Sequence, residues 1–369
     1  MFVCGALPPA KPICGVSDTL AKLAKKLLEK GLQVSIVTNV QSQTPVVGSS
    51  GEEAALFPVM KGWGFGEIPK FLTALKKSKP DIVHIQYPTQ GYGRSWMPYF
   101  LPLILRLLGK QVVQTWHEHT RYRFFPNALT ADNLIVVVPD FLKIVRFRYR
   151  WLVRRKNIHF IQIISNIPAV QLLEDERERI RSRWLINGSN LIIFFGFVYP
   201  GKGLESVFQI SDPAEDTVVI IGQMDFDNNK YHQTFLPTIN GRRWNGKTLV
   251  TGFMNDIDVA KLMAAADAVL CPFNNGLRRN NGTFLAALAQ GTFVLTTTKQ
   301  VSRYDKFENV YYCKPNGIDE MRVALKKYKG VKLIGGTPHV VDWDRFTNDH
   351  RLVYQAAKLG LKIPDRNYV

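Results

Sequence analysis

The sequence predicts an α/β protein made of two doubly wound domains, each a parallel sheet covered by helices on both faces. Three observations predict it. At 369 residues, with 46% apolar content, the chain is longer than one hydrophobic core organises and rich enough to fill two. Short β-rich runs alternate with helical patterns along its whole length. The alternation breaks near residue 168 and then restarts.

In the first half, Phe2–Leu7, Gln33–Thr38, Asp81–Tyr87, Gln111–Trp116, Leu134–Val138 and Ile158–Ile164 have the length and composition of buried strands. Between the first two, Thr19–Glu29 sets Leu20, Leu23, Ala24, Leu27 and Leu28 at the spacing of an amphipathic helix that stops at Gly31. Ser165-Asn166-Ile167-Pro168, followed by the charged stretch Glu174–Arg183, marks the change of unit. Strands then fit Leu191–Phe195, Thr217–Ile221, Thr248–Val250, Ala268–Cys271 and Thr292–Thr296. Helices fit Lys202–Ile210, Ile257–Ala266, Thr283–Gln290, Ile318–Tyr328 and a last amphipathic stretch, Trp343–Leu359. The expected domains are 1–168 and 169–342, with 343–369 a terminal helix. Ligands of such sheets bind beyond the carboxyl ends of the strands, so an interdomain cleft is the expected site.

The longest apolar runs, around Met97–Leu108 and Leu134–Val138, fall short of the roughly 20 residues a membrane span needs. The opening Met1-Phe2-Val3-Cys4-Gly5-Ala6-Leu7-Pro8-Pro9 has no basic leader and does not read as a signal peptide, so a cytoplasmic location is expected. Cys4, Cys14, Cys271 and Cys313 are far apart and form no CxxC pair, which argues against a zinc site or a disulfide framework. The net charge of +18 is unevenly shared. Residues 1–168 hold 22 Lys and Arg against 9 Asp and Glu, a surplus of 13. That field calls for an anionic partner of the first domain: phospholipid headgroups, a lipid diphosphate or nucleic acid.

Five segments have the residues for chemistry, and each has a plainer reading beside it. Cys14-Gly15-Val16-Ser17-Asp18 places a glycine where backbone amides approach a phosphate, or is a tight turn capped by Ser17 or Asp18. Phe194–Gly203 ends a strand in a glycine turn beside Lys202, the arrangement that holds a diphosphate by a point charge and backbone amides; a surface lysine is the alternative. Pro272–Thr283 brings Arg278, Arg279 and several amides to the N-terminus of a small-residue helix, a stronger anion site than either, or else a solvated basic loop capped by Thr283. Thr115-Trp116-His117-Glu118-His119 puts His117 at a strand end where it meets a substrate hydroxyl or leaving phosphate, whereas His119 reads equally as structural. Metal is disfavoured there, because the two histidines are two apart and no further clustered ligand is visible. In the last, Phe141–Lys156, Lys143, Arg146, Arg148, Arg150, Arg154, Arg155 and Lys156 interleave with Phe141, Phe147, Tyr149 and Trp151, as in an interfacial helix. Nucleic-acid binding or an ordinary solvated helix are its alternatives.

Taken together these segments resemble family 4 of the GT-B glycosyltransferases. The opening strand, Cys14–Asp18 and the following helix look like that family's glycine loop and first helix. Pro80–Tyr87 and Val112–Glu118 look like its later N-domain strands, and Gly196–Gly203 like the turn that ends in its diphosphate-binding lysine. Val250–Asn255, Val259–Phe273 and Gly282–Thr297 resemble the run that reaches and surrounds the donor. Three positions depart from the pattern. Arg278 and Ala286 stand where the family often carries paired glutamates, and Phe197 where it has an arginine, so the resemblance is to an arginine-bearing subgroup.

The resemblance implies a GT-B fold of two Rossmann-like domains, with the final helix crossing back to the first. It implies a retaining glycosyltransferase that moves a sugar from a UDP- or GDP-linked donor to a lipid-linked or polysaccharide acceptor in cell-surface glycan biosynthesis. Gly252, Phe253 and Met254 would meet the base; Gly196, Lys202, Arg278, Arg279, Gly282 and Thr283 the diphosphate; Gly15 would close over the phosphates. His117, Lys202 and Arg278 are the implied catalytic residues, with no metal, no cofactor besides the nucleotide sugar, and no named nucleophile. An acceptor in the basic first domain fits peripheral attachment to the inner face of an anionic membrane through Phe141, Arg146, Phe147, Arg148, Arg150, Trp151, Arg154 and Arg155, with no nucleic-acid partner. The missing glutamates leave open a non-catalytic protein of the same fold that binds a nucleotide sugar or a partner enzyme. An epimerase of that fold is a further alternative.

Overall fold

The structure is a computed structural model and describes residues 1–10, 14–118, 132–138, 156–185, 190–278 and 280–361. The first part of the chain runs β1 (Phe2–Val3), α1 (Gly15–Glu29), β2 (Ser35–Asn39), β3 (Ala55–Met60), α2 (Ile68–Ser78), β4 (Ile82–Tyr87), α3 (Met97–Leu107), β5 (Gln111–Trp116), β6 (Asn133–Val136) and β7 (Asn157–Phe160). The second runs α4 (Glu174–Trp184), β8 (Asn190–Phe195), α5 (Leu204–Ile210), β9 (Asp216–Ile221), β10 (Thr248–Val250), α6 (Asp256–Ala265), β11 (Ala268–Cys271), α7 (Gly282–Ala289), β12 (Val294–Thr297), β13 (Arg303–Asp305), β14 (Val310–Cys313) and α8 (Ile318–Tyr328). Helix α9 (Trp343–Leu359) follows. Two compact units result, Met1–Ile163 with Asp342–Val369, and Ile164–Val341.

The first unit is built on seven strands in the order β3-β2-β1-β4-β5-β6-β7, every neighbouring pair parallel. Its helices bury one face each. On α1, Leu20, Leu23 and Leu27 are at most 2% exposed, and each contributes about 1.5–3 kcal/mol by burial. Helix α9 is tied to this unit at both ends, by Lys30 to Asp344 at 3.0 Å and by Lys358 to Asp81 at 2.9 Å.

The second unit also has seven strands, in the order β10-β9-β8-β11-β12-β14-β13, all parallel except the β13–β14 pair. Both units are therefore the α/β architecture that the sequence predicts. Helix α4 has no buried residue and stands on charge: Glu174 and Asp175 in its first turn pair with Arg177 and Arg179, and Arg181 reaches Asp267 at 2.8 Å.

The differences from the sequence reading are unread elements and shifted element ends. Strands β3, β13 and β14 and helices α2, α3 and α4 go unread in the sequence. Strand β3 contains Pro58, which removes a ladder donor and is tolerated because β3 is an edge strand; β13 is an edge strand of three residues. Helix α1 starts at Gly15, four residues early, and the residue at its N-cap is Cys14, not Ser17 or Asp18. Strand β1 is two residues rather than six, because the chain leaves the sheet at Cys4 to pack against a second loop. A Cβ on Gly5 would lie 2.6 Å from the Cα of Gly91, so the loops after β1 and β4 touch backbone to backbone.

Candidate active site

In each sheet the strand order reverses at one point, between β1 and β4 in the first unit and between β8 and β11 in the second. In sheets of this kind ligands bind at such a point, off the carboxyl ends of the strands. The loop after β8 is shaped by Gly196, Gly201 and Gly203, at φ +106°, +101° and +80°. Positive φ is accessible to glycine without Cβ strain, and at Gly203 space decides as well, because a Cβ would overlap the Pro272 carbonyl oxygen. Asn274 N donates to Gly201 O at 3.0 Å, so the β8 and β11 loops are joined through backbone. Gly203→Ala is expected to cost at least ~3 kcal/mol, against ~1 kcal/mol for Gly246→Ala, where φ is +72° but nothing lies within 4 Å. Urea unfolding of the two variants checks the contrast.

This turn carries Lys202 into the switch point. Its side chain is only 6% exposed. The Nζ donates to Thr283 Oγ1 at 3.1 Å and lies 5.1 Å from the Phe273 ring centroid and 5.9 Å from that of Tyr199. Among the described residues no carboxylate comes within ion-pair distance of it. Burial holds the Lys202 pKa below its ordinary 10.5, partly offset by the nearby Cys271 thiol, which burial pushes up to about 12. Gly196 keeps the space beside this ammonium open, because a Cβ there would stand 2.8 Å from Thr283 Oγ1 and 3.8 Å from Lys202 Nζ.

Helix α7 meets the same point with its N-terminus. The cap is Asn281, whose Oδ1 accepts from Thr283 N at 3.1 Å and Phe284 N at 3.3 Å; it is not Thr283. The Thr283 hydroxyl is therefore available to Lys202. Gly196, Lys202, Gly282 and Thr283 are thus brought together. Arg278 is exposed in the loop before α7, its carbonyl accepting from Asn281 N, and Arg279 lies outside the described residues. Gly252, at φ +70°, Phe253, 81% exposed, and Met254 follow the edge strand β10.

In the first unit His117 follows β5, 9% exposed, its N–H bonded to Tyr87 O at 2.8 Å. Its Nε2 donates to Gln86 Oε1 at 2.7 Å. The Gln86 amide nitrogen faces His84 Nε2 at 3.2 Å, and since an amide N–H only donates, that ring nitrogen accepts; Thr115 Oγ1 adds a second contact at 2.7 Å. The His84 proton then sits on Nδ1, donated to Tyr354 Oη on α9 at 2.8 Å. One glutamine thus sets both tautomers, with His117 protonated at Nε2. Burial pushes the His117 pKa down to about 3 and that of His350 to about 4, and holds His84 well below 6.5. At neutral pH His117 is an uncharged hydrogen-bonding group. Thr19, Gln86, Thr115, His117 and His350 line a cavity of about 20 Å³, room for one water.

Gly15 is the exposed first residue of α1, and a Cβ on it would meet nothing within 4 Å. His119 and the segment with Phe141, Arg146, Phe147, Arg148, Arg150, Trp151, Arg154 and Arg155 lie outside the described residues. Among the described residues no three His, Cys, Asp or Glu side chains are grouped as metal ligands, and no helix is long and apolar enough to cross a membrane.

Solved structures share this fold. Sucrose-phosphate synthase from Thermosynechococcus elongatus matches over 97% of this chain and 96% of its own, at 16% identity and a TM-score of 0.65. Anabaena HepE in complex with UDP and glucose matches over 96% and 94%, at 12% identity and 0.63. The catalytic domain of starch synthase IV from Arabidopsis thaliana, bound to ADP and acarbose, matches over 97% and 99%, at 12% identity and 0.65. A search of curated proteins finds no match. The family model described as Glycosyltransferase Family 4 matches residues 13–162. Residues 13–162 thus match a glycosyltransferase family, and the whole chain has the GT-B fold of these enzymes.

Sequence reasoning about this protein missed Gln86, His84, Thr115, His350 and Tyr354. A signal was present: His84 and Gln86 are two apart on β4, and Thr115 and His117 two apart across the end of β5, so each pair shares a face in an otherwise apolar strand. Buried polar residues at period two must find partners. Phe273 and Tyr199, which face the Lys202 ammonium, carried no such signal.

Proposed function

We propose that this protein is a glycosyltransferase that binds a nucleoside diphosphate sugar in its second unit and transfers the sugar to a lipid-linked or polysaccharide acceptor bound by its basic first unit. The observation that carries the reading is the buried Lys202 ammonium, with a hydroxyl and two rings for neighbours and no carboxylate in reach among the described residues. A buried cation is costly unless an anion joins it, and a diphosphate at the N-terminus of α7 supplies one. The UDP and ADP held by structures of the same fold support that class of donor.

In this reading Lys202, Thr283 and the α7 amides hold the diphosphate and stabilise the charge that grows on it as the sugar leaves, with Arg278 reaching it from the preceding loop. Phe253 offers an exposed ring to the base. His117, neutral and tautomerically set, hydrogen-bonds the hydroxyls of an acceptor held by the first unit. The reaction is retaining and needs no metal ion. The protein works in the cytoplasm against the inner membrane face, in cell-surface glycan assembly.

The testing experiment is a thermal-shift series with UDP, GDP, ADP, dTDP and CMP. One diphosphate is expected to stabilise the protein, by about 2.7 kcal/mol at 100 times its Kd, and Lys202→Ala to lose that shift relative to its own ligand-free melting temperature. Equal shifts in Lys202→Ala and wild type would overturn the assignment. A second reading, a nucleotide-sugar-binding protein without turnover, is favoured by Arg278 and the fully buried Ala286 in place of the paired glutamates; transfer with any donor excludes it.

A further inference from the structure

Helix α3 of the first unit turns an apolar face outward. Its inner side is core, with Met97, Leu101 and Leu105 fully buried. On the other side Trp96, Phe100, Leu103 and Leu107 follow one another at steps of four, three and four residues, which places them on one face. Trp96 is 46% exposed, Leu103 38% and Leu107 79%, and Leu108 adds 49% just past the helix end. Phe65, 51% exposed, continues the patch, its ring centroid 5.8 Å from that of Phe100. A surface helix ordinarily shows polar residues on this side, and apolar exposure this contiguous marks a docking face.

Charge indicates what covers it. No Asp or Glu occurs between Asp81 and Glu118; Arg106 lies in the last turn of α3, Arg94 and Lys110 lie just outside it, and Lys61 and Lys70 flank Phe65, with Lys70 paired to Glu67 at 2.8 Å. Arg106 pairs with Asp132 only at 3.4 Å with both side chains more than half exposed, and such a pair holds its cation weakly. A second copy docking here would bring two cationic rims together. An anionic bilayer instead pairs with the rim while Trp, Phe and Leu side chains enter the boundary between headgroups and acyl chains. At 11 residues α3 is far too short to span, so it lies in the surface.

We propose that the outward face of α3, with Phe65, is a membrane-docking surface that seats the first unit on an anionic lipid bilayer. The residues named are not those of the Phe141–Lys156 segment, and the proposal does not depend on the donor assignment.

The test is co-sedimentation of the full chain with phosphatidylcholine vesicles, with and without phosphatidylglycerol. Wild type is expected to bind the phosphatidylglycerol vesicles, more weakly as salt rises. The double variant Leu103→Gln, Leu107→Gln is expected to bind about tenfold less, with its melting temperature and nucleotide-induced shift unchanged because both positions are exposed. Arg106→Gln with Lys110→Gln should flatten the salt dependence. Failure of wild type to bind, equal binding by the leucine double variant, or a dimer in sedimentation velocity that this variant abolishes without any vesicle binding would each overturn the proposal.

Discussion

Lys202→Ala is expected to lower kcat/KM for sugar transfer by about 10²- to 10³-fold, the range for removing one preorganised donor from a developing oxyanion. The size follows from placement. The ammonium is 6% exposed, lies beside two aromatic rings, and is offered a hydroxyl rather than a carboxylate, so its field on a diphosphate is weakly screened. Lys202→Met keeps the length and removes the charge. It should lose as much activity while melting at or above the wild-type temperature, because it relieves the desolvation that holds the Lys202 pKa down. The linkage sign is definite. A lysine whose folded pKa is lowered binds fewer protons than the unfolded chain between that pKa and 10.5, so its contribution to stability rises with pH across that window. Diphosphate binding selects the protonated form, and affinity should fall as pH rises through the lowered pKa. Activity assays with Lys202→Ala and Lys202→Met, with melting curves of both, read these expectations; near-normal turnover would remove Lys202 from the chemistry.

The first unit is expected to lose stability steeply below pH 6.5. His84, His117 and His350 are held neutral by burial, His350 down to about 4 and His117 to about 3. For a base with a depressed folded pKa the unfolded chain takes the proton first. The stability is complete above 6.5 and is lost as pH falls toward 4 and 3. Each ring costs about 1.4 kcal/mol per pH unit in that window, so three together cost about 4 kcal/mol per unit. Protonation would also disturb the Gln86 relay and the His84–Tyr354 bond that ties α9 to β4. Urea unfolding from pH 7.5 to 5 should show that slope, and His350→Gln, which does not titrate, should reduce it by about one third. A flat profile would mean that the native rings take up protons at the same pH as in the unfolded chain.

Much of this was legible in local residue order. The 3.6-residue spacing of Leu20, Leu23 and Leu27 and the compact runs of β5, β9 and β11 mark helices and strands because burial imposes their periods. The glycine turn around Lys202 was readable for the same reason: positive φ at Gly196, Gly201 and Gly203 demands that residue type. Edge strands β3 and β13 were not readable, being too exposed or too short for a buried pattern, whereas edge strands β7 and β10 were.

By itself the sequence determined the α/β class, the two-part organisation, the basic first half and the turn that offers Lys202, all of which depend on neighbours within a few residues. Tertiary structure alone decided what those groups face. Thr283 is 81 residues from Lys202 and Gln86 31 residues from His117, while Tyr354 meets His84 across 270. The cap of α7 fell to Asn281, which left the Thr283 hydroxyl for the lysine. Apart from Arg106, helix α3 is apolar all round, so periodicity could not say which side would be covered. The fold buried Met97, Leu101 and Leu105 and left Trp96, Leu103 and Leu107 outside, because only one face of a helix can lie on its sheet.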